Sequence, residues 1–283
     1  MKLVNADGWP GVIDGDHVID LRPLLAGRDG DRAASFLHVM AHWDRLSDDV
    51  LDDRAALPRT PLAAIHLGPP VPRPGKILAA PVNYETHRRE MGSEHTVSTL
   101  GLFLKAPSSV IGPGDDVLLP YDDRRIDHEG ELAVVIGKTA RDVPADEAGA
   151  YIRGYTGLID VTMRGPEERS ARKSFDTFTP LGPWVVTADE VGDPNDLRLR
   201  LWVEGDLRQD DRTAGLILGV PELVALASSM MTLEPGDVLA TGTPAGVGPI
   251  RPGDRLVLEI ERIGRLEVGV ALRERSGQLL RRT

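Results

Sequence analysis

The chain has 283 residues, 41% of them hydrophobic, with 30 Gly and 22 Pro, enough to bury a large core in one big domain or in one big and one small. A formal net charge of -11 and a pI near 5.1 argue against nucleic acid and anionic membrane surfaces as partners, because phosphate binding needs clustered basic residues. With no Cys at all, disulfides, thiolate nucleophiles and Cys-ligated zinc drop out together.

In chain order, residues 1–67 read as a small N-terminal α+β domain. Short strands surround positions 11–16, and a helix over 34–46 places Phe36, Leu37, Met40 and Trp43 on one face. Residues 1–7 carry no signal-like apolar stretch and no run reaches the length needed to cross a bilayer, so the expected compartment is the cytoplasm. Residues 68–75, Gly68-Pro69-Pro70-Val71-Pro72-Arg73-Pro74-Gly75, can continue neither a helix nor a central strand and suit a stiff linker. Residues 76–283 hold short apolar runs at 77–80, 102–104, 117–119, 132–136, 184–187, 197–203, 238–241 and 256–260, most of them separated by turn residues. That pattern predicts a mainly β (α+β) fold class. One helix is expected over 221–231, with Glu222 in its first turn.

The segment richest in chemistry is Asp127-His128-Glu129-Gly130-Glu131, which runs straight into the apolar stretch 132–136. Side chains at i and i+2 of a strand share a face, so Glu129 and Glu131 stand roughly 6–7 Å apart along the backbone, within reach of one cation. Leu132, Val134 and Ile136 then face the other way, as does His128, which reads as structural. Two like charges so placed need a metal or a proton. Asp160 closes a second apolar stretch, 157–160, and a carboxylate there also asks for compensation. Three oxygen ligands and no Cys favour a hard ion, Mg²⁺ first and Mn²⁺ or Ca²⁺ next. The same acids would also serve as a solvated edge or as ion-pair partners of Arg124 and Arg125.

In Asn83-Tyr84-Glu85-Thr86-His87-Arg88-Arg89-Glu90-Met91, helical geometry makes His87 and Glu90 neighbours at i,i+3, and the carboxylate can then hold the imidazole tautomer that takes a proton from water. An exposed charged helix that happens to contain a His is the alternative. Only five lysines occur, leaving 28 of the 33 basic residues as Arg, and a lysine kept in such a chain tends to sit where Arg cannot substitute. Lys105 and Lys173 fall in segments that look buried or close to a site. Other motifs fail: Gly137-Lys138-Thr139 lacks the Gly that a phosphate-binding loop needs at position 132, and neither a Gly-x-Ser-x-Gly elbow nor a His-Glu-x-x-His helix occurs.

The order Asn83-Tyr84, His87, Glu90, then Phe103-Leu104-Lys105-Ala106-Pro107, Asp127-His128-Glu129-Gly130-Glu131-Leu132, Asp160, Lys173-Ser174-Phe175-Asp176, Arg208-Gln209 and Thr241-Gly242-Thr243-Pro244-Ala245-Gly246-Val247-Gly248 resembles the fumarylacetoacetate hydrolase family. The likeness spans nearly all of residues 75–270, and the joint order and spacing are specific although no single motif is. It implies a mixed, rolled β-sheet catalytic domain over 76–283, usually in a homodimer, with a divalent metal on Glu129, Glu131 and Asp160. It also implies a catalytic dyad of His87 and Glu90 on a mobile lid, an active-site lysine at Lys173, and substrate contacts from Arg164 and Thr243. After Arg164 the family usually has Asp, whereas this chain has Gly165.

The function this implies is divalent-metal-dependent hydrolysis of a C–C bond in a small anionic 2-oxo acid, a 2,4-dioxo (acylpyruvate-like) substrate, through a metal-stabilised enolate. His87 with Glu90 activates water, and Lys173 supplies positive charge or the proton that quenches the enolate. The same enolate serves an isomerase or decarboxylase of 2-oxo or 2-hydroxy-diene diacids in aromatic or sugar-acid catabolism. A metal-stabilised structural domain is the reading without enzyme activity, but it has no use for the His87–Glu90 pair or for Lys173.

Overall fold

The computed structural model describes residues 1–25 and 31–274. Its architecture is mainly β and mixed, as the spacing of short apolar runs predicts. The largest sheet runs in the order Arg59–Pro61, His17–Asp20, Trp9–Asp14, Lys2–Ala6, Thr179–Thr187, Ile152–Ile159, Gly130–Ile136, Val238–Ala240, Ile77–Ala79, Phe103–Lys105. A five-stranded sheet (Asp206–Arg212, Arg198–Val203, Arg255–Ile260, Gly264–Leu272, Asp116–Leu119) packs against it, and a three-stranded one joins Thr162–Met163, Ile126–His128 and Gly248–Pro249. Helices α1 (Arg32–Asp52), α2 (Glu85–Glu90), α3 (Val97–Leu100), α4 (Arg169–Arg172), α5 (Ala188–Val191) and α6 (Val220–Met230) complete the described elements. None of these is long and apolar enough to cross a membrane.

The strand Gly130–Ile136 explains the layering. All seven residues are buried because each face of a central strand meets its own core. Leu132, Val134 and Ile136 enter the core shared with Leu199, Leu258 and Val268 of the five-stranded sheet. Ala133 and Val135 enter a second core with Leu3, Val12, Met40 and Trp43. This strand pairs antiparallel with Ile152–Ile159, Gly130 opposite Ile159 and Glu131 opposite Leu158. The register brings the acidic end of one strand level with the residue that follows the other, and Asp160 N–H donates to the Glu129 carbonyl at 2.7 Å.

Several elements differ from expectation. Helix α1 runs from Arg32 to Asp52, and its buried face is Phe36, Val39, Met40, Trp43, Leu46 and Val50, while Leu37 lies to one side, half-buried. The strand Ile152–Ile159 begins ahead of the apolar stretch 157–160, Gly264–Leu272 lies outside the apolar runs named above, and Asp206–Arg212 is an edge strand whose alternation is hidden by charge, with only Gln209 buried. Residues 1–68 do not stand apart from the sheet: Lys2–Ala6 pairs with Thr179–Thr187, and Leu67–Gly68 pairs back onto Lys2–Ala6.

Candidate active site

Glu129, Glu131 and Asp160 converge. One carboxylate oxygen from each lies within 4.8 Å of the others, and all three residues are buried. Their surroundings differ. Burial works against ionisation of Glu129, but Lys173 and Arg164 outweigh it and hold its carboxyl below the usual range. Among the described residues Glu131 has no cationic hydrogen-bond partner; the Gly242 N–H donates to it at 2.7 Å, and burial together with Asp160 pushes its carboxyl well above the usual range. Such like-charge crowding of hard oxygen donors is what a divalent cation relieves, so the donor set fits Mg²⁺, Mn²⁺ or Ca²⁺.

Two lysines close the cluster from behind. Lys173 Nζ uses all three of its hydrogens, on Glu129 at 2.8 Å, Asp160 at 2.5 Å and the Thr162 hydroxyl at 2.6 Å. Burial alone would lower its pKa, but the carboxylates of Asp160 and Glu129 prevail and raise it. Lys105, fully buried, donates to Asp160 and to the carbonyls of Lys173 (2.7 Å) and Phe178 (3.1 Å). Arg could not replace it there, since three donors radiating from one nitrogen meet three acceptors.

His87 and Glu90 sit on α2 as the i,i+3 spacing predicts, with Nδ1 2.9 Å from one Glu90 oxygen. That pairing leaves Nε2 as the proton-accepting nitrogen. The other Glu90 oxygen accepts from Gly246 N–H at 2.9 Å, which docks the helix on the glycine-rich loop. At Gly246, φ is +98° and a Cβ would lie 2.0 Å from the Arg208 carbonyl, so glycine is required. Asn83, buried at the entrance to α2, donates to the carbonyls of Leu218 and Thr241 and accepts from Leu218 N–H. Val82 beside it has φ 50°, a region a β-branched residue seldom enters, and it lines the same cavity.

That cavity, of about 360 Å³, brings His87, Glu129, Glu131, Asp160, Arg164, Lys173 and Thr243 to a common wall. Glu90 stands behind His87. Arg164 donates to Asp127 at 2.7 Å and to Glu129 at 2.9 Å, so Asp127 orients it where the family's usual Asp neighbour is missing. A side chain at Gly165 would require the Glu167 carboxylate, paired with Arg124 at 2.8 Å, to shift. Thr243 already donates to the Gly130 carbonyl at 2.9 Å and accepts from Gln209 at 2.8 Å. Gln209 in turn accepts from Gly130 N–H, so it braces the turn between the two glutamates. Sequence reading gave no role to Asp127, Gln209 or Asn83; a buried amide inside a charged edge strand leaves no periodic trace. His128 is buried, and burial pushes its pKa below the ordinary value.

Comparison with known proteins gives the family. The family model for the fumarylacetoacetate (FAA) hydrolase C-terminal region matches residues 76–271. A maleylpyruvate hydrolase from Aquipseudomonas alcaligenes is 46% identical over 273 residues, covering 92% of this chain and 95% of that protein. The crystal structure of a maleylpyruvate hydrolase from Sphingobium sp. SYK-6, in complex with manganese (II) ion and pyruvate, superposes with a TM-score of 0.86 at 40% identity over 96% of this chain and 99% of that one. A 5-carboxymethyl-2-hydroxymuconate delta-isomerase from Mycobacterium smegmatis gives 0.77 at 34% identity, covering 97% and 100%.

Proposed function

The chain belongs to the fumarylacetoacetate hydrolase family, and from that membership and the site's geometry we propose that it hydrolyses a C–C bond in an acylpyruvate-like 2,4-dioxo acid. The observation that carries this reading is that the buried His87, held through Nδ1 by Glu90, and the three-carboxylate cluster face one cavity. Glu129, Glu131 and Asp160 would hold the divalent ion, Mg²⁺ by preference. When bound, it supplies Lewis-acid stabilisation to charge developing on the substrate's 2-oxo oxygen.

The protein's own residues account for the remaining steps. Glu90 fixes the His87 tautomer, and Nε2 takes a proton from water as its oxygen adds to the C4 carbonyl. The C3–C4 bond then breaks, its electron pair passes into the pyruvate enolate, and the proton held by His87 returns to C3. One carboxylic acid and one pyruvate leave for each water consumed. Lys173, kept as an ammonium, places positive charge beside the enolate and orients Glu129 and Asp160. Arg164 and Thr243 are assigned to the substrate's acid end; in both, hydrogen bonds already made within the protein set the orientation.

An assay of pyruvate release from 2,4-dioxopentanoate, with Mg²⁺ or Mn²⁺ added, tests the reading. His87→Ala is expected to lower kcat about 10²–10⁴-fold, the usual contribution of a positioned base. Wild-type turnover in that variant would remove the dyad from the chemistry. Glu131→Ala that kept full turnover after chelator treatment would remove the metal assignment instead. The likeness to an isomerase favours a second reading, a 1,3-proton shift in a 2-hydroxy-diene diacid, and the same preparations can be assayed for it.

A further inference from the structure

Arg164 is held by its backbone as well as by its side chain. The guanidinium donates to Asp127 at 2.7 Å and to Glu129 at 2.9 Å. The backbone N–H donates to the Arg125 carbonyl at 2.8 Å, and the Arg164 carbonyl accepts from Arg124 Nη2 at 3.4 Å. That same nitrogen of Arg124 reaches both oxygens of Glu167, at 2.8 and 3.0 Å. The Arg124 side chain is only 6% exposed and lies over the Tyr121 ring, 5.8 Å from its centroid. A guanidinium so enclosed needs its carboxylate, because separating such a pair leaves an uncompensated charge in a poorly solvated place. The hydrogen bond from Arg124 holds the Glu167 carboxyl below its usual range, so the pair is ionised at neutral pH.

Gly165 lies against this pair. Its φ is outside the left-handed region, so no backbone conformation demands glycine there. Space does: a Cβ at 165 would lie 2.1 Å from Glu167 Oε2 and 2.4 Å from Arg124 Nη2. Both atoms end flexible side chains, so it is the ion pair and not the backbone that a side chain at 165 would displace. The bend continues to Glu168, whose carboxylate accepts from Ser170 N–H at 2.7 Å and caps α4. Glu167 is therefore carried on a short segment fixed at Arg164 on one side and at a helix start on the other. Neither Arg124 nor Glu167 belongs to the cavity wall, whereas Arg164 does.

We infer that the Arg124–Glu167 ion pair, admitted by the missing side chain at Gly165, is a positioning device for Arg164. The two residues touch no reacting atom; they fix the peptide that carries Arg164, and through it the direction in which its guanidinium meets the substrate's acid end. The inference rests on the role given to Arg164 in the function proposed above, and it adds what decides that residue's orientation.

Titration calorimetry with pyruvate, in buffer containing Mn²⁺, reads binding of the acid end without turnover. Glu167→Ala is expected to raise the Kd about threefold to thirtyfold, the span of coupling within one hydrogen-bonded network, and Gly165→Ala to do the same by displacing the pair. Glu167→Gln, which keeps an acceptor for Arg124, should fall between. In an Arg164→Ala background the same substitutions should change the Kd by less than about twofold, because the guanidinium they act through is gone. A general loss of structure, or an effect carried to Lys173 through α4, predicts the full weakening in that background too, and such a result overturns the inference. Absence of 2,4-dioxopentanoate cleavage would remove the hydrolase reading and leave this comparison intact. If pyruvate does not bind, or binds Arg164→Ala as it binds the wild type, a crystal structure of Glu167→Ala decides. Arg164 turned away from Asp127 supports the inference, and both of its carboxylate contacts kept at wild-type distances overturn it.

Discussion

Glu131 shows how neighbours set the behaviour of one residue. Its folded-state pKa is raised, so between the ordinary carboxylate range and that higher value the folded protein binds a proton that the unfolded chain does not. Stability of the ion-free protein therefore falls as pH rises through that window. Glu129 acts in the opposite sense: its pKa is lowered from 4.5 to about 2, and the stability it contributes is lost as pH falls between those values. On the proposed metal assignment an ion would need the Glu131 carboxylate, so its binding would release a proton and tighten with increasing pH. The rise in Tm on adding Mg²⁺ or Mn²⁺ is expected to grow as pH rises above the ordinary carboxylate range and to lose that slope in Glu131→Gln. Thermal melts with and without chelator measure this, and a slope identical in both proteins would rule out Glu131 as the source.

At the scale of an element, α2 is a six-residue helix that could not persist alone, since helices this short are marginal without tertiary support. Three anchors hold it. Asn83 ties its entrance to Leu218 and Thr241, Thr86 meets Asp211 at 3.0 Å, and Glu90 reaches Gly246. Asn83→Ala would leave the Leu218 N–H and two carbonyls short of partners in a buried place, at about 1–3 kcal/mol for each group left unmet. A Tm lower by several degrees, with kcat reduced because His87 loses its footing, is the expected result of calorimetry and steady-state kinetics. An unchanged Tm would mean that the loop after Gly215 does not brace the helix.

For the whole molecule, the N-terminal segment covers one side of the principal sheet. Leu3, Val12, Met40 and Trp43 share a core with Ala133, Val135, Leu158 and Leu181. The expected division at residues 68–75 would therefore be a boundary in chain and composition across which the sheet continues. A fragment starting at residue 76 should expose that apolar face and the unpaired edge of Thr179–Thr187, and so aggregate. Its soluble yield and light scattering, compared with the full chain, test this. A monodisperse fragment with the Tm of the whole protein would show residues 1–67 to be dispensable.

What could be read without coordinates follows from local rules. Period-two alternation fixes which side chains share a face, so Glu129 and Glu131 were legible as partners, and i,i+3 spacing did the same for His87 and Glu90. The motif order then identified the family and its rolled β fold. What only the tertiary structure decided depends on register and on contacts across long stretches of chain. The pairing of Gly130 with Ile159 brings Asp160 to Glu131; Lys105 reaches Asp160 across 55 positions, and Asn83 reaches Thr241 across 158. The carboxylate pairing of Arg164 with Asp127 is invisible in a sequence for the same reason: whether a charge has a partner depends on every residue that folds against it.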